Sequence, residues 1–159
     1  MLDLSKLLYK EGGLLVPKGV SKIGGLSNPF YNCRSLASVV IPKGVTEISG
    51  EAFKGCTNAT PVSIPGSVKY IGYEAFAGCT SLTDVSIPAG MTEICTGAFA
   101  GCTELKDIRY VVTKAQWASV QRGVFWCTPS VESIICTDGT SEDVGSNCDK
   151  DGMYFRLGA

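Results

Sequence analysis

Four cysteines, Cys33, Cys56, Cys79 and Cys102, recur at one constant interval, and Phe30, Phe53, Phe76 and Phe99 keep the same interval. Ile41-Pro42, Ile64-Pro65 and Ile87-Pro88 form a third column, Val45, Val68 and Met91 a fourth, and Ile48, Ile71 and Ile94 a fifth. Independent hairpins need no such register, whereas a stack of like coils does. A unit this short has one open hydrophobic face and buries it only against a neighbour, so the chain is constrained to a solenoid. Val16-Pro17 belongs to the Ile-Pro column but stands slightly too far from Ile41-Pro42, and the surplus falls in GGLSNP between Ile23 and Phe30. The first coil therefore carries a bulge, in a turn that swells without shifting its neighbours.

The unit from Ser35 to Thr57, SLASVVIPKGVTEISGEAFKGCT, translates into local structure. Leu36, Val39 and Ile41 follow L-x-x-L-x-L; along a strand Val39 and Ile41 face inward while Ser38 and Val40 face out. Pro42 ends the strand because it has no N–H to give a ladder. Gly44 permits a tight turn, and Val45 and Ile48 drop back into the interior on the far side. Ala52 and Phe53 fill the remaining space, and Gly55-Cys56 leads into the next coil. Stacked in this way, the four phenylalanines form a ladder of rings, and each buried Ile, Leu, Val or Phe stabilises the stack by roughly 1.5–3 kcal/mol.

A solenoid exposes a raw hydrophobic face at each end and needs caps. Residues 1–13, with Leu2, Leu4, Leu7 and Leu8, are expected to cover the first coil; residues 14–104 form four coils of the 23-residue type. Val111 replaces the strand-ending proline and the register lapses, so residues 105–139 are read as an irregular closing unit within one single domain. In that unit a short helix is expected over Thr113 to Val120, around Trp117, and a strand over Val131 to Cys136. Residues 140–159 form a polar, turn-rich tail.

Composition removes several function classes. Fourteen Lys and Arg against 15 Asp and Glu give a net charge of −1, which offers no general attraction to phosphate backbones or anionic lipid, so nucleic acid is not an expected partner. There is no His, hence neither the commonest general base nor the commonest neutral metal ligand. No Ser, Thr or Cys has a base partner supplied by the sequence, so no enzyme activity and no cofactor are expected. No apolar run approaches the roughly 20 residues a spanning helix requires, so membrane insertion is not expected. The start, MLDLSKLLYKEGG, lacks the features of a secretory signal, which leaves an intracellular chain or one whose targeting segment has been removed.

The columns resemble those of the BspA-like (bacterial surface protein A) leucine-rich-repeat family. The resemblance is carried by LTDVSIPAGMTEICTGAFAGC, Leu82 to Cys102, and by its copies LASVVIPKGVTEISGEAFKGC and VSIPGSVKYIGYEAFAGC. Ala115-Gln116-Trp117 and Cys136-Thr137-Asp138-Gly139 resemble the family's closing unit, and the likeness covers roughly residues 14 to 139. Departures are Ala59 in place of Leu, Pro61 within its strand, and Pro29 before Phe30 where other copies have Ala. The resemblance implies an α/β-type repeat solenoid, a leucine-rich-repeat right-handed coil with a parallel β-sheet on its concave face and otherwise mostly β and irregular structure. It also implies an extracellular or cell-surface location and adhesion to protein partners, either host matrix or cell-surface proteins or another bacterial surface protein.

The remaining chemistry-bearing residues have structural readings beside functional ones. Cys33, Cys56, Cys79 and Cys102 share one phase and are read as inward-packed thiols, because a ladder without His or C-x-x-C spreads its sulfurs along an axis and holds no zinc. Cys95 stands where other copies have Ser49 and Gly72 and is read as a chance substitution on the back of the coil. Cys127, Cys136 and Cys148 belong to the irregular end, and a disulfide between Cys136 and Cys148 would pin a polar loop with little core of its own. Asp138, Glu142, Asp143, Asp149 and Asp151 lack the spacing of a calcium loop and read as a solvated turn, so no metal is expected.

The outward strand positions are then the candidate site. They are Gly13 and Leu15, Ser38 and Val40, Pro61 and Ser63, Asp84 and Ser86, and Asp107 and Arg109, running from apolar to charged. A grid of this kind suits an extended peptide or a protein edge. The expected function is a non-catalytic protein-interaction or adhesion module; the alternatives are a passive spacer and a glycan-binding module. A glycan binder presents aromatic platforms, and none of these positions is aromatic.

Overall fold

The computed structural model describes residues 19–26, 28–124, 126–127, 130–131 and 133–141. The expected N-terminal cap, Gly13, Leu15, Glu142, Asp143, Cys148, Asp149 and Asp151 lie outside the described residues. The chain winds through about five turns of a parallel-strand solenoid with almost no helix.

The coils build sheets on two sides. One consists of β1 (Lys22–Ile23), β3 (Glu47–Ile48), β5 (Tyr70–Ile71), β7 (Glu93–Ile94) and β9 (Gln121–Arg122), all parallel, with Ile23, Ile48, Ile71 and Ile94 successive partners. On the other side lie β2 (Val39–Val40), β4 (Val62–Ser63), β6 (Asp84–Ile87), β8 (Asp107–Tyr110) and β10 (Ser133–Cys136), with β11 (Gly139–Ser141) antiparallel on β10. The far side of the coil, expected to be a mere crossing, is thus a sheet of its own. The outward-facing side, expected to be one continuous parallel sheet, is divided: β2 and β4 pair only with each other, and β6 joins β8, β10 and β11. The division falls between β4, the strand that Pro61 precedes, and β6. Having no N–H to give a ladder, Pro61 stays outside β4, which is two residues long against four in β6.

Between the two sides lies one continuous core. Val39, Ile41, Val45, Ile48, Ala52, Phe53 and Cys56 of one coil are buried, as are their equivalents in the next. The Phe30, Phe53, Phe76 and Phe99 rings stack with centroids 5.3, 5.2 and 5.3 Å apart and planes within 12° of parallel. Beside them a second ladder runs through the cysteines: the thiols of Cys56, Cys79 and Cys102 donate to the carbonyls of Phe30, Phe53 and Phe76 at 3.0, 3.3 and 3.1 Å. Burial pushes the Cys56 and Cys102 thiols up to about 12 and raises that of Cys79 as well, so all three are neutral donors.

A third column explains a residue that the sequence leaves as an accident. Gly24, Ser49, Gly72, Cys95 and Gly123 follow one another from coil to coil, and the N–H groups of the last four reach the isoleucine carbonyls of the preceding coil at 2.7–2.8 Å. A Cβ on Gly72 would lie 2.7 Å from the carbonyl carbon of Ser49, and one on Gly123 2.7 Å from that of Cys95. Side chains at 49 and 95 fit because glycines flank them. Cys95 is half-buried rather than idle on the back of the coil: its thiol lies 3.1 Å from the Tyr70 hydroxyl and 3.5 Å from Glu93 Oε1.

The C-terminal turn is longer and closed by aromatic rings. Helix α1 (Lys114–Ala118), inside the expected 113–120 span, starts at Thr113, whose hydroxyl accepts from Gln116 N while Gln116 Oε1 accepts from Thr113 N at 3.1 Å. The helix buries Trp117, which packs 5.1 Å from Tyr110 and 5.5 Å from Trp126; Trp126 in turn meets Phe99 edge-on at 6.4 Å. The flat ladder therefore ends against rings turned across it. Asp138, exposed in a turn as expected, also accepts from Lys114 N at 2.9 Å and so caps the start of the helix.

Cys136 does not form the expected bridge to Cys148. Cys136 carries a free, buried thiol, whereas Cys127 of the same end is disulfide-bonded. The reason is geometric: Cys136 is the last residue of β10, paired with Tyr110, and its side chain is directed into the core with those of Ile134 and Val131.

Candidate functional site

The alternation that buries Val39, Val62, Val85, Ile108 and Ile134 turns the next residue of each strand outward. Val40, Ser63, Ser86, Arg109 and Ile135 form that outward row, with Val40 56% exposed at one end and Ile135 37% exposed at the other. A second row holds Ser38, Pro61, Asp84 and Asp107, of which Ser38 and Asp107 are half-buried.

The candidate residues fall into two groups because of the sheet break. Val40 and Ser63 are register partners in the β2–β4 pair, with Ser38 just before it. Asp84 and Asp107 are partners in the larger sheet, as are Ser86 and Arg109. Arg109 Nη1 stands 3.6 Å from Asp84 Oδ1, and both side chains are about half exposed. A pair so open contributes little to stability and is free to exchange partners. Leu15 lies outside the described residues.

Ile135 belongs to the same face, in register with Arg109, and is missing from the sequence expectation. The alternation Ile134 in, Ile135 out within the expected Val131–Cys136 strand was the signal for it. Val111, 54% exposed just beyond β8, extends the apolar edge where the other coils have proline.

Among the described residues no group of three or more His, Cys, Asp and Glu converges to hold a metal, and no helix is long and apolar enough to cross a membrane. What the face offers is main-chain order and outward side chains: small and flat at Ser63 and Ser86, charged at Asp84, Asp107 and Arg109, apolar at the ends.

Comparison with known proteins bears on this geometry. No curated protein matches the chain. Among solved structures it is similar to a leucine-rich cell surface protein of Faecalibacterium prausnitzii A2-165, with a TM-score of 0.61 and 27% identity over 70% of this chain and 35% of that one. It is also similar to the leucine-rich repeat protein of T. pallidum, with a TM-score of 0.57 and 31% identity over 69% of this chain and 58% of that one. The chain thus spans about a third and somewhat over half of the lengths of these two structures. The family model for the BspA type leucine-rich repeat region matches residues 21–150 in six copies. With the coils, the columns and this match in agreement, the chain belongs to the BspA-type leucine-rich-repeat family.

Proposed function

We propose that this chain is a protein-interaction module of a bacterial surface or secreted protein, and that it docks a protein partner on the face formed by β2, β4, β6, β8 and β10. The observation that carries the reading is the outward row Val40, Ser63, Ser86, Arg109 and Ile135, which crosses successive turns with apolar contacts at its ends and an exchangeable ion pair from Arg109 to Asp84 of the second row. A rigid parallel scaffold presents such a row without an ordering cost on binding, which favours an extended partner segment. The F. prausnitzii structure, a leucine-rich cell surface protein, supports a surface setting. The partner class is then a host matrix or cell-surface protein, or another bacterial surface protein.

The test is surface plasmon resonance of the immobilised chain against solubilised extracellular-matrix protein, with Val40→Ala/Arg109→Ala as the variant. The expected result is binding that weakens about tenfold in the variant, the range of a modest hot spot, with an unchanged melting temperature. Equal binding by the variant removes the face from the interaction, and no binding by the wild type favours a passive spacer.

A further inference from the structure

Three non-glycine residues among those described adopt left-handed backbone: Asn32 at φ 56°, Glu51 at 58° and Glu74 at 50°. They lie in two repeat columns. Glu51 and Glu74 precede Gly97 in one, and Asn32 precedes Gly55, Gly78 and Gly101 in the other, all with positive φ. Glycine is what the backbone favours at both columns, because a Cβ is disfavoured there. The sequence departs from it at three places that meet on one ridge of the solenoid.

Lys54 stands at the centre of that ridge. Its ammonium pairs with Glu51 Oε1 at 2.9 Å and with Glu74 Oε2, and lies 5.8 Å from the centroid of the Tyr31 ring. Its carbonyl accepts from Asn32 N at 2.7 Å. The Tyr73 carbonyl accepts from Glu51 N at 2.8 Å, which holds this residue beside the cluster. Tyr31 and Tyr73 are the exposed aromatic side chains among the described residues, 46% and 51% open to solvent, and both fall on this cluster. The glycines of the next coil make room for it: a Cβ on Gly97 would press on Glu74 Cγ at 3.0 Å, and one on Gly55 would collide with the Asn32 amide.

The chemistry of a matching ligand follows. The ridge holds two open rings, two carboxylates, an ammonium and an amide, with the carboxylates and the ammonium held in place by mutual pairing. A cation would have to displace Lys54, and an anion would meet Glu51 and Glu74. A neutral polyhydroxylated ligand breaks neither ion pair: its C–H faces lie on the tyrosine rings, and its hydroxyls exchange hydrogen bonds with the free lone pairs and protons of the network. We propose that the ridge formed by Tyr31, Asn32, Glu51, Lys54, Tyr73 and Glu74 is a binding site for a neutral glycan. It is separate from the strand face that docks the protein partner.

The experiment is isothermal titration of the 159-residue chain with maltohexaose, chitohexaose and mannohexaose. Binding of at least one, with Kd on the order of 0.1–1 mM, is expected. Tyr31→Ala/Tyr73→Ala removes the platforms at exposed positions and should weaken it at least tenfold. Glu51→Gly/Glu74→Gly removes the carboxylates where the backbone itself favours glycine, so the fold persists and binding should fall to the same degree; melting temperatures confirm folding. Absence of binding to all three sugars, or undiminished binding by either folded double variant, overturns the proposal. So does a preference for polylysine or heparin over every neutral oligosaccharide.

Discussion

Gly72 lies directly against Ser49 of the preceding coil: a Cβ added to Gly72 would stand 2.7 Å from the Ser49 carbonyl carbon and 2.9 Å from Gly50 Cα. All of these contacts are with the backbone of residues 49 and 50, which leaves no flexible side chain to yield. Gly72→Ala is expected to destabilise the protein by about 1–3 kcal/mol, the usual cost of overpacking, which is roughly 2–10 °C in melting temperature. Gly66→Ala is the control, because a Cβ there meets nothing within 4 Å. Thermal unfolding of the two variants should separate them, and equal melting temperatures would show that the coils can move apart at no cost.

Ser49 makes the opposite prediction. Its Oγ is buried and lacks a hydrogen-bond partner among the described residues, while its Cβ occupies the space between Gly24 and Gly72. Ser49→Ala keeps the Cβ and removes the orphaned hydroxyl. A gain of about 1 kcal/mol is expected in urea unfolding, and a loss of stability would mean that the hydroxyl is satisfied in solution.

The phenylalanine ladder distributes its strength unevenly. Phe76 stacks between Phe53 and Phe99, all fully buried, and Phe76→Ala should cost about 3–5 kcal/mol. Phe30 stacks on Phe53 and retains slight exposure, so Phe30→Ala should cost less and loosen its own coil before the rest. Hydrogen exchange resolves the two cases: global loss of protection for position 76, loss confined to the first coils for position 30.

The columns of Phe, Cys, Ile-Pro and Val were legible because burial in a stack demands the same residue type at each pass. Other features were not. Strands as short as Glu47–Ile48 carry no alternation of their own, so the second sheet leaves no period in the sequence. The pairing of Ser49 and Cys95 with glycines is a relation between coils and reads as noise within one. A glutamate held in left-handed backbone, as Glu51 is, looks like any surface glutamate. Pro61 was visible as a disturbance, but that the outward face divides between β4 and β6 depends on which strands pair, and pairing is a property of the whole stack. Cys136 looks like a bridge partner because a polar tail follows it, whereas its inward position at the end of β10 keeps its thiol free.

Thiol chemistry separates the cysteines by environment. Cys56 and Cys102 are buried with thiols raised to about 12, whereas Cys95, though also raised by burial, is only half-buried and open to reagent. Iodoacetamide at pH 8.5 should modify Cys95 in the native protein and reach Cys56, Cys79 and Cys102 only on unfolding. The same shifts act on stability. A thiol held neutral in the fold and titrating near 9 when unfolded contributes stability that is intact below pH 9 and lost as the pH rises from 9 toward 12. Urea midpoints should fall through that window, and more gently in Cys56→Ala/Cys102→Ala. Early labelling of Cys79 would mean that the coils open far more readily than the ladder allows.

The thiol-to-carbonyl bonds tie each cysteine to the phenylalanine of the preceding coil, and the strand partners of the regular coils likewise come from adjacent turns. Each coil thus grips only the one beside it. Excising one full unit, residues 58–80, joins Thr57 to Ser81 with every column in register, and Cys95→Gly in the shortened chain restores the glycine that must follow Ser49. A chain shortened in this way should close on the same aromatic end and differ from the parent only by one rung of cooperativity. Length, in this architecture, is a quantity that evolution can adjust in whole coils, provided a glycine still faces each side chain where neighbouring backbones touch.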